Sequence, residues 1–377
     1  MKDLDPFKYT GPLDPEEDSL VRIMRQAELK EVLAGVRNNT YYAVVAPRQT
    51  GKSTFLFQLL HELSNTLPGY QGVYLTLEDL IHADRKEFYQ SFARKITTCL
   101  ANQYQFQSSS LSQRYKTVNT NLDLKDFLLE LAKAKFSRAQ SHENIEFDVS
   151  EFTGLKFILL IDEIDGVAKD TMIEFVKTVR SIFIERLSVA GFKAFTIILC
   201  GAADLASLTY GKTSPFNISK VIYLRDFSFE EISSWLNRIF TYLGVQFNDS
   251  FIQKLFEQTQ GHPYLTQTLC SRILRRLHEG ERSEVKQDDF KEIDQIIMSG
   301  DINLRTSLER IKSDELLEEM LSLILGGKSI RYTRTHNIIY NLELAGAIRQ
   351  KDGFCRMRNP IYEKFFNQQI QITKMTS

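Results

Sequence analysis

The chain has 377 residues, 43% of them hydrophobic and 25% charged, with a formal net charge of −1 and a pI near 6.6. This length exceeds one typical domain, and the near-balanced charge gives no global polyanion-binding signature. Four cysteines, Cys99, Cys200, Cys270 and Cys355, are widely spaced with no CxxC and no His/Cys cluster, so they read as reduced thiols rather than a disulfide framework. The acidic, polar start is not a signal peptide, and no apolar run reaches the ~18–20 residues a membrane helix needs. A cytoplasmic protein with no membrane partner is expected.

Residues 1–19 hold three of the eight prolines and few apolar side chains, which predicts an extended lead-in. Leu20–Ala34 has helical spacing and is expected to stop at Gly35. Tyr41–Val45 is rich in β-formers and runs into Ala46, Pro47, Arg48, Gln49, Thr50, Gly51, Lys52, Ser53 and Thr54, after which FLFQLLHELSN has helical spacing. A strand, a glycine-containing loop and a helix N-terminus make a phosphate cradle, because backbone N–H groups and the helix dipole both favour an anion. Lys52 is then placed to reach the β- and γ-phosphates and the Ser53 hydroxyl to ligate Mg²⁺. The first glycine of GxxxxGK[ST] is Ala46 here, while Gly51 is retained where the loop must approach phosphates closely.

Further along, Gly72–Leu77 reads as a strand, and Phe88–Cys99 and Leu124–Ala134 as helices. The polar stretches QFQSSSLSQRYKTVNTN and SRAQSHENIEFDVSE read as surface insertions. Phe157–Asp165, FILLIDEID, opens as a fully buried strand and ends on Asp162 and Glu163. An acid at that position beside a phosphate loop suits Asp162 to help hold Mg²⁺, and a neighbouring Glu163 can polarise the attacking water. Thr171–Leu187 is helical, and Phe192–Cys200 and Lys220–Leu224 are strands. Alternating strands and helices imply an α/β domain with a doubly wound parallel sheet over residues 20–226.

From Phe227 to about residue 299 only helical periodicity is found, punctuated by Asn248-Asp249 and Gly261-His262-Pro263, which suggests a small helical lid. Over 300–377, Asp314–Leu325 and Arg334–Leu344 read as helices. Ala347–Gln350 and Phe354–Arg358 read as a hairpin around Lys351-Asp352-Gly353, and Ile361–Ile370 as a closing helix. Helices followed by a hairpin suggest a winged-helix domain. Its basic residues Arg331, Arg334, His336, Arg349, Lys351, Arg356 and Arg358 make DNA a candidate partner, whereas Tyr340, Leu342 and Leu344 suggest that much of the reader helix is buried.

GPLDPEEDSLVRIMRQAELKEVLAG, APRQTGKST, LLIDEID, TSPFNISKVIYLRDFSFEEI and GHPYLTQTLC together give nearly the whole chain a family resemblance. The chain resembles the AAA-like ATPases common in cyanobacteria and other bacteria. These are relatives of the signal-transduction ATPases with numerous domains and, more distantly, of the archaeal and eukaryotic replication-initiator ATPases. The resemblance implies a P-loop NTPase (AAA+-like) fold binding ATP with Mg²⁺. It implies that Pro263 packs on the adenine, although a plain turn proline reads equally well. It makes His262 a phosphate sensor or a surface histidine, Arg22 a nucleotide-proximal or merely exposed arginine, and Arg180 an inter-subunit arginine finger or a solvated one. A polar sensor is not evident in Gly201-Ala202-Ala203-Asp204, which argues against fast hydrolysis. Three functions compete: a slow ATPase switch in signalling or defence, an ATP-dependent DNA-binding protein of replication, transposition or defence, and a nucleotide-binding scaffold without significant hydrolysis. Partners consistent with these are ATP and ADP, a second copy of the chain, and a separately encoded effector.

Overall fold

A computed structural model describes residues 5–102, 104–106, 113–134, 136–138, 155–202 and 216–376. Contacts divide the chain into two compact units. One comprises Arg25–Val45 and Phe55–Tyr223; the other comprises Met1–Met24, Ala46–Thr54 and Leu224–Ser377.

The first unit is built on a parallel sheet. In chain order it holds the helix Gln26–Arg37, strand β1 (Tyr42–Val45), the body of the helix Lys52–Thr66 and strand β2 (Tyr70–Thr76). The helix Arg85–Ala101 follows, then β3 (Tyr104–Phe106), the helix Asn121–Lys133 and β4 (Phe136–Arg138). It closes with β5 (Lys156–Asp162), the helix Lys169–Glu185, β6 (Phe195–Gly201) and β7 (Lys220–Tyr223). The sheet order is β2-β5-β6-β1-β7, with every pair parallel. Every residue of β1 and β6 is buried, as expected when helices cover both faces. Because all five strands point one way, β1 and β5 end at the same edge, with β6 between them.

Two expectations for this region are corrected. The helix expected over Leu20–Ala34 starts only at Gln26 and continues past Gly35 to Arg37. Residues 20–22 give their carbonyls elsewhere: Trp235 Nε1 donates to Val21 O at 2.7 Å, and Arg238 donates to Leu20 O and Arg22 O. Those acceptors are not available to a helical ladder. Gly35 is a site of close approach rather than a stop, since a Cβ there would lie 1.8 Å from Tyr42 Oη, and Tyr42 Oη donates to Glu31 O. Parts of the two insertions, together with flanking residues, also pair as the antiparallel ribbon β3–β4; much of the remainder lies outside the described residues.

The second unit is helical. Phe229–Leu243, Asp249–Thr259, Pro263–Glu279 and Glu292–Met298 lead into Ile302–Lys312, a helix not foreseen, and Glu315–Leu325. Asn337–Leu344, the hairpin β8 (Ile348–Lys351) and β9 (Phe354–Met357), and Pro360–Thr376 complete it. The FSFEE sequence is explained by a capping box: Ser228 Oγ accepts from Glu231 N, and Ser228 N donates back to Glu231. One apolar core runs from Phe7 and Leu13 through Trp235, Phe240, Leu269 and Ile297 to Tyr362 and Phe366. The lead-in is therefore irregular but packed, with Phe7 set edge-on against Trp235. No described helix is long and apolar enough to cross a membrane.

Candidate functional site

The residues that sequence assigned to phosphate binding form a loop and helix start within the second unit. Ala46 and Pro47 are buried, Arg48 and Gln49 are exposed, and Thr50 is buried again. Gln49 (φ 59°) and Gly51 (φ 82°) both adopt left-handed backbone, which turns the chain sharply into the helix that begins at Lys52. A Cβ on Gly51 would meet nothing within 4 Å, so its φ rather than crowding calls for glycine. Thr50 Oγ1 donates to Pro47 O at 2.9 Å, and Lys52 Nζ donates to the same carbonyl at 3.2 Å. Lys52 is thereby drawn over the loop with only 7% of its surface exposed. Ser53 is half-buried at the first turn. Thr54 is committed elsewhere, its hydroxyl accepting from Leu13 N at 3.1 Å.

The acids stand at the end of β5 in the other unit. Asp162 is fully buried; Oδ2 accepts from Tyr74 Oη at 3.0 Å and Oδ1 from Glu163 N at 2.9 Å. Burial, then the Asp162 charge and hydrogen bond, push the Tyr74 phenol far up, so it stays a donor. Glu163 is half-buried with φ 56°, a left-handed conformation that costs a non-glycine residue energy. Asp165, one turn on, accepts from Ala202 N at the end of β6. Ala203 and Asp204 lie outside the described residues. The described groups contain no cluster of three or more His, Cys, Asp or Glu side chains able to hold a metal by themselves. A single buried carboxylate of this kind fits Mg²⁺, which takes one or two carboxylates alongside substrate phosphates.

Other expected residues fall in varied settings. Arg22 is half-buried; its Nε and Nη1 are buried without a hydrogen-bond partner among the described residues. Arg180 Nη1 donates to Asn217 Oδ1 at 2.9 Å in its own unit. Pro263 is buried at the first position of its helix, with His262 as N-cap. Gly261 before them has φ 74°, and a Cβ there would stand 1.9 Å from Phe227 O, so GHP and RDF pack backbone to backbone.

His262 corrects the surface reading, because it is fully buried and stacks on Tyr362 at 5.8 Å between ring centres. Burial first, and the Arg358 charge second, push it down to about 3, against the opposing pull of Asp226. Unfolded, it takes a proton near its ordinary value of 6.5, whereas the folded ring refuses it. Stability should therefore fall as pH drops from about 6.5 towards 3, at up to about 1.4 kcal/mol per pH unit from this group. Urea melts at pH 7 and pH 5 check this; His262→Asn, which keeps a capping acceptor, should show a shallower acid slope, and an unchanged slope would contradict it.

The C-terminal basic residues do not share one solvent face. Arg334 is held by both oxygens of Glu343, and Arg349 Nη2 donates to Gln260 Oε1 at 2.7 Å. Arg358 is 4% exposed and forms a fork with Asp226, at 2.9 and 2.6 Å, while its Nη2 also donates to Thr50 Oγ1 at 3.2 Å. Among the described residues, only Arg331, His336, Lys351 and Arg356 of the set are exposed without a side-chain ion pair. Most of the short helix Asn337–Leu344 is buried, including Tyr340, Leu342 and Leu344, as the sequence suggested. Sequence reasoning missed Arg358 and Asp226 as neighbours of the phosphate loop, and Tyr74 as the support of Asp162.

Residues 14–368 match the AAA-like domain. The chain belongs to the AAA-like domain family. The structure of this AAA-like protein is similar to that of the Walker-type ATPase PABY2304 of Pyrococcus abyssi, with 16% identity, a TM-score of 0.67 and coverage of 95% of this chain and 99% of that one. It is also similar to the ORC2 protein of Aeropyrum pernix, with 10% identity, a TM-score of 0.53 and coverage of 100% and 99%. In sequence it is 24% identical to an uncharacterized WD repeat-containing protein of Synechocystis sp. over 97% of this chain. The chain spans 30% of the length of that relative. A parallel α/β fold of the P-loop NTPase type is thus common to this AAA-like chain and its structural neighbours.

Proposed function

We propose that this AAA-like protein binds ATP with Mg²⁺, hydrolyses it slowly and works as a nucleotide-controlled conformational switch. The observation that carries the reading is the loop Ala46–Thr54, with two left-handed residues delivering Lys52 and Ser53 to the start of a 15-residue helix. Backbone N–H groups there suit phosphate oxygens. Lys52 contributes the cation for the β- and γ-phosphates and Ser53 the hydroxyl for Mg²⁺. Arg22, whose buried donors have no hydrogen-bond partner among the described residues, suits an anionic group. Pro263 offers an apolar surface to the adenine. In the other unit, the Tyr74 hydrogen bond orients Asp162 for Mg²⁺, and Glu163 turns a carboxylate towards a water nucleophile. When bound, Mg²⁺ would offset charge developing on the phosphates. Slow turnover is favoured because Gly201 and Ala202 bring no polar side chain to the end of β6. ORC2 of Aeropyrum pernix was solved as ADPNP-ADP complexes, which accords with a nucleotide ligand for this fold.

Residues 300–377 are read as a winged helix that serves as a moving part rather than a DNA reader. The burial of Arg358 and the pairing of the exposed Arg334 with Glu343 support this, since the first is withdrawn from the surface and the second has its charge already offset. Duplex DNA titrated from about 50 to about 200 mM salt, with and without ATP, is the test. The switch reading expects weak binding whose salt slope is the same in Lys351→Glu/Arg356→Glu. A slope that falls by about one unit per lost phosphate contact, with ATP kinetics unchanged, would favour DNA engagement instead.

A further inference from the structure

Thr50 belongs to the phosphate loop, Asp226 to the segment entering the helix Phe229–Leu243, and Arg358 to the residues between β9 and the last helix. All three lie in one compact unit. Arg358 joins them: its fork is closed on Asp226, and Nη2 is shared with Thr50 Oγ1. The Thr50 hydroxyl donates to Pro47 O, the carbonyl that Lys52 Nζ also uses, and its oxygen accepts from Arg358. A continuous chain of hydrogen bonds thus runs from Asp226 through Arg358, Thr50 and Pro47 to Lys52. The approach is close on a second side, where a Cβ on Gly346 would stand 3.0 Å from Arg358 Nη1 and 3.8 Å from Pro47 Cβ.

We infer that Arg358 is a positioning residue for the phosphate loop, and the contact through which the C-terminal segment responds to the nucleotide. The inference rests on the ATP reading above. A guanidinium is needed because one planar group must serve a carboxylate by two bonds and a hydroxyl by a third, which the single ammonium of lysine does with poorer geometry. Asp226 offsets the extra cation, so Arg358 acts on the loop's conformation rather than on the phosphates. Coupling between two sites is reciprocal. A ligand that settles the loop steadies Arg358, and a partner that shifts the C-terminal segment changes nucleotide affinity by the same factor.

The test uses the full chain, a fluorescent ATP analogue and thermal melts. Arg358→Lys keeps a cation for Asp226, so it should melt within a few degrees of wild type while binding the analogue about tenfold more weakly. Thr50→Val should lose a similar factor, and Thr50→Ser, which restores the hydroxyl, should recover it. The double variant Arg358→Lys/Thr50→Val should be little worse than Thr50→Val alone, because both changes break the same Arg358–Thr50 bond. Wild-type affinity in Arg358→Lys, or losses that add in the double variant, overturns the inference. Should Arg358→Lys fail to fold, the threonine pair decides, and wild-type affinity in Thr50→Val overturns it. Absence of analogue binding by the wild-type chain would instead sink the ATP reading itself.

Discussion

Lys52→Ala is expected to abolish tight ATP binding and leave the fold standing. Lys52 lies over the phosphate loop, 7% exposed, and its ammonium donates to the Pro47 carbonyl. That carbonyl keeps Thr50 Oγ1 as a donor when the lysine is removed, so no buried acceptor is orphaned. What is lost is a set of charge-assisted bonds to phosphate, each on the order of 1.5–3 kcal/mol. Two such bonds amount to roughly a hundredfold or more in affinity. Fluorescent-nucleotide titration beside a thermal melt reads both quantities. Unchanged affinity in a well-folded variant would remove the phosphate-loop assignment.

Glu163→Gln should bind ATP as the wild type does and turn over about 10²–10⁴-fold more slowly, the range for general-base assistance. Glutamine preserves the shape of the side chain and can occupy the same left-handed backbone, which has φ 56° here. Asp162, to which Glu163 N donates, keeps both that bond and the Tyr74 hydroxyl. Only the carboxylate proposed to polarise water is taken away. Single-turnover hydrolysis at the wild-type rate would assign the role to a different residue.

The parts of this molecule legible in the sequence are those governed by neighbours in the chain. The apolar run Phe157–Ile161 could only be a buried strand, and the helix start at Lys52 follows from the loop that precedes it. Distant partners explain what was not legible. Leu20–Arg22 have helical spacing, yet Trp235 and Arg238 take their carbonyls. Gly35 looks like a helix stop, but it makes room for Tyr42. His262 looks like a surface histidine until Tyr362 is found stacked on it. Alternation along β9 turns Arg356 outward and would do the same for Arg358, but the strand ends at Met357. The chain there turns Arg358 inward to Asp226. Tyr74 gave no signal at all, because its relation to Asp162 exists only through the pairing of β2 with β5.

A nucleotide switch needs its two states to differ in affinity for ATP and ADP, by about 5.5 kcal/mol for a near-complete change of population. The γ-phosphate is the group that distinguishes them. Hydrogen exchange of the Glu163→Gln chain, saturated in turn with ATP and with ADP, measures the consequence where it matters. The switch predicts that amides of β8 and β9 exchange at different rates in the two nucleotide states, and that Arg358→Lys removes the difference while amides of the helix Lys52–Thr66 stay protected by either nucleotide. Identical exchange of β8 and β9 with ATP and ADP, in a chain shown to bind both, would contradict it.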